Sequence, residues 1–267
     1  MENDKEQQIE LLTQLKIDLK KDSSSEQYRR VYDKLHSFIL KKGYPLENRK
    51  PGNFLYVSKK YKNYVAEIIY RLTPKKSKVL EIGFGDARLS YQLAKNKQCS
   101  VKSIDVSTIA VGRAKKLEGD LDLEFLWGDA RDIKFVNESF DVAISKDVLE
   151  HLPSDQHKKY FYEVKRVLKN NGIHLLYLPP KLAQSRCDLH LKVYNTKELN
   201  KLLKNEFSSV EQYYVQLAII KVLKKCSKIF IKLTVVTEKI IEKTKLYKVL
   251  GCLNKLIIPR FVYKLRK

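Results

Sequence analysis

A chain of 267 residues is long enough to bury a sizeable core, and α/β units of about 200–250 residues commonly fold as one. Hydrophobic residues at 43% and charged residues at 31% describe a globular chain rather than a disordered one, and no apolar run reaches the ~20 residues that span a bilayer. The net charge of +22 points to an anionic partner, nucleic acid or a membrane surface; only 11 of the 53 basic residues are Arg, and Lys lacks the paired donors suited to reading bases.

In chain order, residues 5–21 place Ile9, Leu12, Leu15 and Leu19 at helical spacing. DSSSE at 22–26 breaks that helix and caps a second one, which stops at Gly43. A third helix is predicted over 57–72, after the loop around Pro45 and Pro51 and before Pro74. From residue 78 strands alternate with helices: KVLEI (78–82), SVKSID (100–105), LEFLWG (123–128), FDVAIS (140–145) and IHLLYL (173–178), separated mostly by ARLSYQLAKN, STIAVGRAKKLE and HKKYFYEVKRVLKN. This alternation predicts a mostly parallel sheet with helices on both faces, whose ligand lies beyond the carboxyl ends of the strands. A helix TKELNKLLKN and a sixth strand, FSSVEQYYV (207–215), follow.

The final stretch differs in composition. Between Gln216 and Lys267 there are 14 Lys and Arg against two Glu. Ile219, Leu223, Cys226, Phe230, Leu233 and Ile240 share one helical face and lysines share another, a basic amphipathic pattern suited to an anionic membrane surface. LIIPRFVYKL then predicts a last strand at the edge of the sheet, where Pro259 is tolerated. Three regions result: a helical cap over 1–74, an α/β core over 75–215, and a basic insertion with a final edge strand over 216–267. Cys99, Cys187, Cys226 and Cys252 form no C-x-x-C pair, so neither a disulfide framework nor a metal site is expected. The acidic, polar opening MENDKEQQIE places the chain in the cytoplasm, with attachment to the inner membrane face through 217–250 as the reading of the basic segment.

The chemistry concentrates at strand ends. After the first strand the chain runs Gly83-Phe84-Gly85-Asp86-Ala87-Arg88, a turn that admits close approach of a ligand but lacks the third glycine of a dinucleotide fingerprint. Asp86 would repel a pyrophosphate at this helix start. The second strand ends at Asp105, an acid placed to accept two ribose hydroxyls. The third runs into Trp127-Gly128-Asp129-Ala130, and the fourth into Ser145-Lys146-Asp147-Val148-Leu149-Glu150-His151-Leu152-Pro153.

These motifs in this order resemble the class I S-adenosylmethionine-dependent methyltransferases: VLEIGFGDARLS (79–90), SIDVS (103–107), FLWGDARDIKF (125–135), FDVAISKDVLEHLP (140–153) and LKNNGIHLLYLPP (168–180). The likeness covers roughly residues 50 to 215. It implies a Rossmann-like seven-stranded sheet with one antiparallel strand and S-adenosylmethionine as cofactor, whose cation without phosphates suits acids in the turn. It further implies that Glu81, Gly83 and Gly85, with Phe84 between them, line the methionine part, that Asp105 and Val106 border the ribose, and that Asp129 and Ala130 border the adenine. Ser145 and Lys146 would sit near the sulfonium. The departure is Ala87, where many relatives have glycine. For the general base, His190 in DLHLKVYNTKEL is preferred over His151 because its loop covers the acceptor side. The expected acceptor is a small molecule, a glycan or a lipid-linked intermediate, through O-methylation; RNA methylation and a non-catalytic cofactor-binding scaffold are the alternatives.

Overall fold

The computed structural model describes residues 2–41, 63–179, 189–219 and 257–267. In chain order its helices are α1 (Glu2–Lys21), α2 (Ser25–Lys41), α3 (Asn63–Leu72), α4 (Arg88–Lys97), α5 (Thr108–Ala114), α6 (His157–Val167) and α7 (Thr196–Glu206). Its strands are β1 (Lys78–Ile82), β2 (Ser100–Asp105), β3 (Leu123–Trp127), β4 (Phe140–Lys146), β5 (Leu168–Tyr177), β6 (Ser209–Ile219) and β7 (Ile257–Arg266). Short apolar runs bounded by turns form the central strands, which are buried on both faces as a covered parallel sheet requires.

The seven strands make one sheet in the order β3-β2-β1-β4-β5-β7-β6. The first five are parallel, and β7 runs antiparallel to both β5 and β6. Alternate residues of each strand enter opposite cores, as the two-residue period of a strand dictates. Val79, Val101, Val142 and Leu175 pack with residues of α3, α4 and α5. Leu80, Ile104, Ala143 and Leu176 pack with α1, α2, α6 and α7.

One expectation is corrected here. The terminal strand does not lie at the sheet's edge: β7 is interior and β6 is the edge strand. Pro259 is accommodated because β5 pairs with β7 only from Val262 to Arg266, so at Pro259 the strand has β6 alone as neighbour.

The N-terminal helices belong to the main core. Leu15 and Leu19 of α1 and Tyr28 and Val31 of α2 are buried in the same apolar cluster as Leu80, Tyr160 and Phe161. Between the helices, Asp22 Oδ1 accepts the Ser24 N–H at 2.8 Å, and Ser24 Oγ accepts the Gln27 N–H at 3.2 Å, capping α2. Asn195 and Glu198 close a reciprocal capping box at the start of α7. Cys99 is a buried free thiol. Among the described residues no helix is long and apolar enough to cross a membrane.

Several expectations fall outside the described residues: the start of the third helix at 57–62, the stop at Gly43 and the loop at Pro45 and Pro51, the remaining cysteines, and the basic amphipathic segment beyond Ile219, itself the last residue of β6.

Leu19→Ala should cost about 2–5 kcal/mol, the range for emptying a fully buried leucine site. Urea unfolding of the whole chain will read this as a lower midpoint; an unchanged midpoint would show that α1 is an appendage.

Candidate functional site at the carboxyl edge of the sheet

The turn after β1 needs its glycines. Gly83 has φ +70° and Gly85 φ +57°, the left-handed region that glycine enters without penalty. A Cβ on Gly83 would lie 2.5 Å from Cγ2 of Val148, two residues past the end of β4, whereas a Cβ on Gly85 would meet nothing within 4 Å. The turn is therefore packed beneath Gly83 and open beside Gly85. Ala87 also sits at φ +59°, so the missing third glycine is replaced by an alanine held left-handed, a conformation costing about 1–2 kcal/mol. Phe84 turns away: its ring is buried and meets Phe125 edge-on at 4.9 Å, so only its backbone faces the turn. Asp86 is ion-paired with Arg88; burial pushes its carboxyl upward, but the guanidinium wins and holds it below its ordinary range.

Glu81 points into the core beneath the turn, where Ser90 Oγ donates to its Oε2. Burial raises its pKa to about 7, against the opposing effects of Ser90 and the Lys146 charge. Asp105, at the end of β2, is also buried. Its Oδ2 accepts the Gly85 N–H at 3.2 Å and its Oδ1 accepts the Ser107 N–H at 3.0 Å. Burial raises its pKa, opposed by these bonds and by His36 of α2. Val106 is partly buried and its carbonyl accepts the Trp127 indole N–H at 3.0 Å.

Helix α2 lies across the ends of β2, β3 and β4. Asp33 Oδ1 accepts Ser107 Oγ–H at 2.7 Å and the Ile109 N–H at 3.2 Å, and its Oδ2 accepts Thr108 Oγ1–H at 2.7 Å. Ser25 Oγ donates to Asp129 Oδ2 at 2.6 Å, and Tyr28 OH donates to the His151 carbonyl at 2.7 Å. Arg131 donates to Asp129 through its backbone N and Nε, both at 2.8 Å, and through a terminal nitrogen at 2.5 Å; its guanidinium also stacks on Tyr28 at 4.2 Å. Burial acts to raise the Asp129 pKa, yet Arg131 holds it below the usual range. Four bonds use up the roughly four acceptor positions of a carboxylate. The Asp129 carboxylate is therefore taken up by the chain's own donors, while Ala130 beside it is partly buried.

The end of β4 divides. Ser145 is fully buried, and its hydroxyl meets Tyr160 OH at 2.7 Å and His174 Nε2 at 2.9 Å, so its side chain belongs to the core and not to an open site. Lys146 Nζ donates to Asp147 Oδ2 at 2.9 Å, and that neighbour raises the ammonium pKa. Asp147 takes φ +59°, a strained position at the mouth of the site. Next come Glu150, with no exposed surface, and His151, whose ring meets that of His190 at 4.7 Å. The segment after residue 188 is pinned here, because the Leu191 and Lys192 N–H groups both donate to the Glu150 carbonyl, at 2.9 and 3.1 Å. Burial lowers the His151 pKa to about 4, and His190 beside it acts the same way.

The expected residues thus lie along one edge of the sheet, with three whose side chains turn into the core, Glu81, Phe84 and Ser145. Sequence reasoning missed Asp33, His36 and Ser25 on α2, Arg131, and Glu150. The spacing of Asp33 and His36 on one helix face, and the adjacency of Glu150 to His151, were the available signals.

Two stability effects are expected. Asp129→Asn leaves the buried Arg131 without its counter-charge and should cost about 3–5 kcal/mol; thermal unfolding will measure it, and a near-neutral result would show that the pair is not structural. Gly83→Ala should destabilise the turn through both its φ and its contact with Val148, whereas Gly85→Ala, strained in φ alone, should cost less.

Residues 79–172 match the family described as a methyltransferase domain. The chain is 33% identical over 106 residues to an eEF1A lysine and N-terminal methyltransferase homolog of Drosophila pseudoobscura pseudoobscura, which covers 36% of this chain and 16% of that protein. It is 31% identical over 120 residues to the cyclopropane-fatty-acyl-phospholipid synthase of Escherichia coli K12, covering 45% of this chain and 30% of that protein. It therefore spans less than a third of either relative's length. Among solved structures, the cyclase SpnF superposes with a TM-score of 0.59 at 14% identity, covering 91% of this chain and 97% of that one. A fold shared with a cyclase does not by itself fix the reaction. The matched segment, with its glycine turn, edge carboxylates and strand order, makes residues 79–172 a class I S-adenosylmethionine-dependent methyltransferase domain.

Proposed function

We propose that the chain transfers a methyl group from S-adenosylmethionine to a small-molecule, glycan or lipid-linked acceptor, most simply an oxygen. The observation that carries this is the convergence of the open glycine turn, the acid Glu81 beneath it and Asp105 beside it, all within the matched domain. The donor set suits a cation without phosphates: acids gather where a pyrophosphate-binding turn would offer none. When bound, S-adenosylmethionine supplies an electrophilic methyl on a sulfonium. The chain's own work is alignment and exclusion of water, worth about 7–11 kcal/mol in well-oriented cases. Gly85 lets backbone approach the ligand, Asp105 fixes that turn and offers its remaining lone pairs to the ribose, and α2 closes the edge from above. His190, whose neighbours Leu191 and Lys192 bond the Glu150 carbonyl, is the residue for orienting or deprotonating the acceptor. With a pKa of about 4, His151 is neutral near pH 7 and a weak base there.

The acceptor class is supported by the basic amphipathic sequence between β6 and β7, which suits an anionic membrane surface, and by the lipid named in one relative. A protein acceptor is the second reading, favoured by the other relative's name.

Calorimetry with S-adenosylmethionine should show binding by the wild type that weakens at least tenfold in Asp105→Ala; no binding by the wild type, or equal binding by the variant, overturns the assignment. His190→Ala should lower turnover far more than cofactor affinity. Because Glu81 ionises near pH 7, attraction for the cationic cofactor is lost as pH falls through that value, so affinity should rise from pH 6 to 7.5, and Glu81→Gln should flatten the rise. Methyl transfer from radiolabelled cofactor into lipid, glycan, RNA and protein fractions will identify the acceptor. Co-sedimentation with anionic vesicles should be present in the full chain and lost on deletion of 217–250.

A further inference from the structure

We infer that Glu150, His151 and His190 form a binding site for a divalent first-row transition metal ion at the carboxyl end of β4. One ligand atom from each lies within 4.8 Å of the other two, and His190 Nε2 is 3.9 Å from Glu150 Oε1. Glu150 has no exposed surface, and neither of its carboxylate oxygens has a hydrogen-bond partner. A carboxylate so placed is costly to keep ionised without a cation. The neighbouring ammonium of Lys146 is committed to Asp147 at 2.9 Å. Glu150 also feels the charges of Asp147 and Lys146, and beside it stand two imidazoles, which are ordinary ligands of a metal ion.

The surroundings resemble the support that ligands need. His151 Nδ1–H donates to the Leu189 carbonyl at 3.3 Å, which leaves the Nε2 lone pair for an ion. The His151 carbonyl is held by Tyr28, and Tyr32 packs edge-on against the ring at 6.0 Å. The Glu150 carbonyl holds the backbone on the far side of His190 through Leu191 and Lys192. All three ligands are thereby fixed by backbone bonds or packing from two separate elements. Ligand atoms around an ion at about 2.1 Å stand about 3–3.4 Å apart, so loading needs each of the three ligand atoms to move inward by less than about 1 Å. Two nitrogens and one carboxylate favour zinc, manganese, iron or cobalt over magnesium or calcium, which prefer oxygen alone.

Three protein ligands leave coordination positions open, and such an ion could take an acceptor oxygen and lower its pKa. That role rests on the methyl-transfer reading; ion binding does not.

The test titrates Co²⁺ into the full chain after treatment with a chelator, following its visible absorption, with Zn²⁺ competition to give affinity. One Co²⁺ per chain is expected, bound roughly tenfold or more weakly in Glu150→Gln and in His190→Ala, a loss at least equal to that from a supporting residue. Asp155→Asn, which alters an exposed carboxylate outside the cluster, should bind as the wild type does. Far-UV circular dichroism and S-adenosylmethionine calorimetry on Glu150→Gln establish that the isosteric variant is folded; should it not fold, His190→Ala carries the comparison. Absence of saturable binding, or binding unchanged in the folded variant, overturns the site. Co²⁺ binding without cofactor binding would uphold the site and refute the methyltransferase reading.

Discussion

The carboxylate of Asp105 holds the working edge of this sheet together. With one oxygen it takes the N–H of Gly85, and with the other that of Ser107. The first bond fixes the glycine turn after β1, and the second fixes the entry to α5, whose N-cap is Ser107 itself. Ser107 in turn donates to Asp33, so α2 is joined to the same point. Three segments distant in sequence are thus registered on one buried acid. An ionised group in such a place is disfavoured by burial and sustained by its donors. The turn, the helix start and the covering helix keep their positions only while those donors are present.

This arrangement explains why the N-terminal helices cannot be regarded as an independent cap. Their apolar faces fill the main core, while their polar groups satisfy the strand ends: Ser25 completes the shell of Asp129, Tyr28 takes up the His151 carbonyl, and Asp33 caps α5. The same residues that stabilise α2 stand over the edge where the cofactor domain presents its acids. Enclosure of a ligand and integrity of the fold are therefore carried by one set of contacts, and a change that opens the edge also loosens the core.

The elements most legible in the sequence were those set by local pattern. β1 and β2 begin and end where the apolar runs predicted, because glycines, lysines and an acid bound them, and Gly83, Gly85 and Asp105 are local features of those boundaries. What escaped depends on distance along the chain. Asp33 meets Ser107 across 74 residues and Ser25 meets Asp129 across 104, and nothing in either stretch announces its partner. The burial of Phe84 and Ser145 is a matter of which face a residue takes, and a residue at the end of a strand can take either. Glu150 was visible beside His151, but its lack of partners emerges only when the segment bearing His190 closes over it. The position of β7 was misjudged for a different reason: a proline signals an edge, and here it marks the part of an interior strand that extends past one of its neighbours.

The placement of β7 has a topological consequence. Ile219 ends β6 and Ile257 begins β7, and the two residues face each other in the antiparallel pair. The chain therefore leaves β6 and enters β7 at adjacent points of the sheet. A pull on either of these strand ends is shared between the sheet's edge strand and the strand that joins that edge to the rest of the sheet, because the two pair along their length.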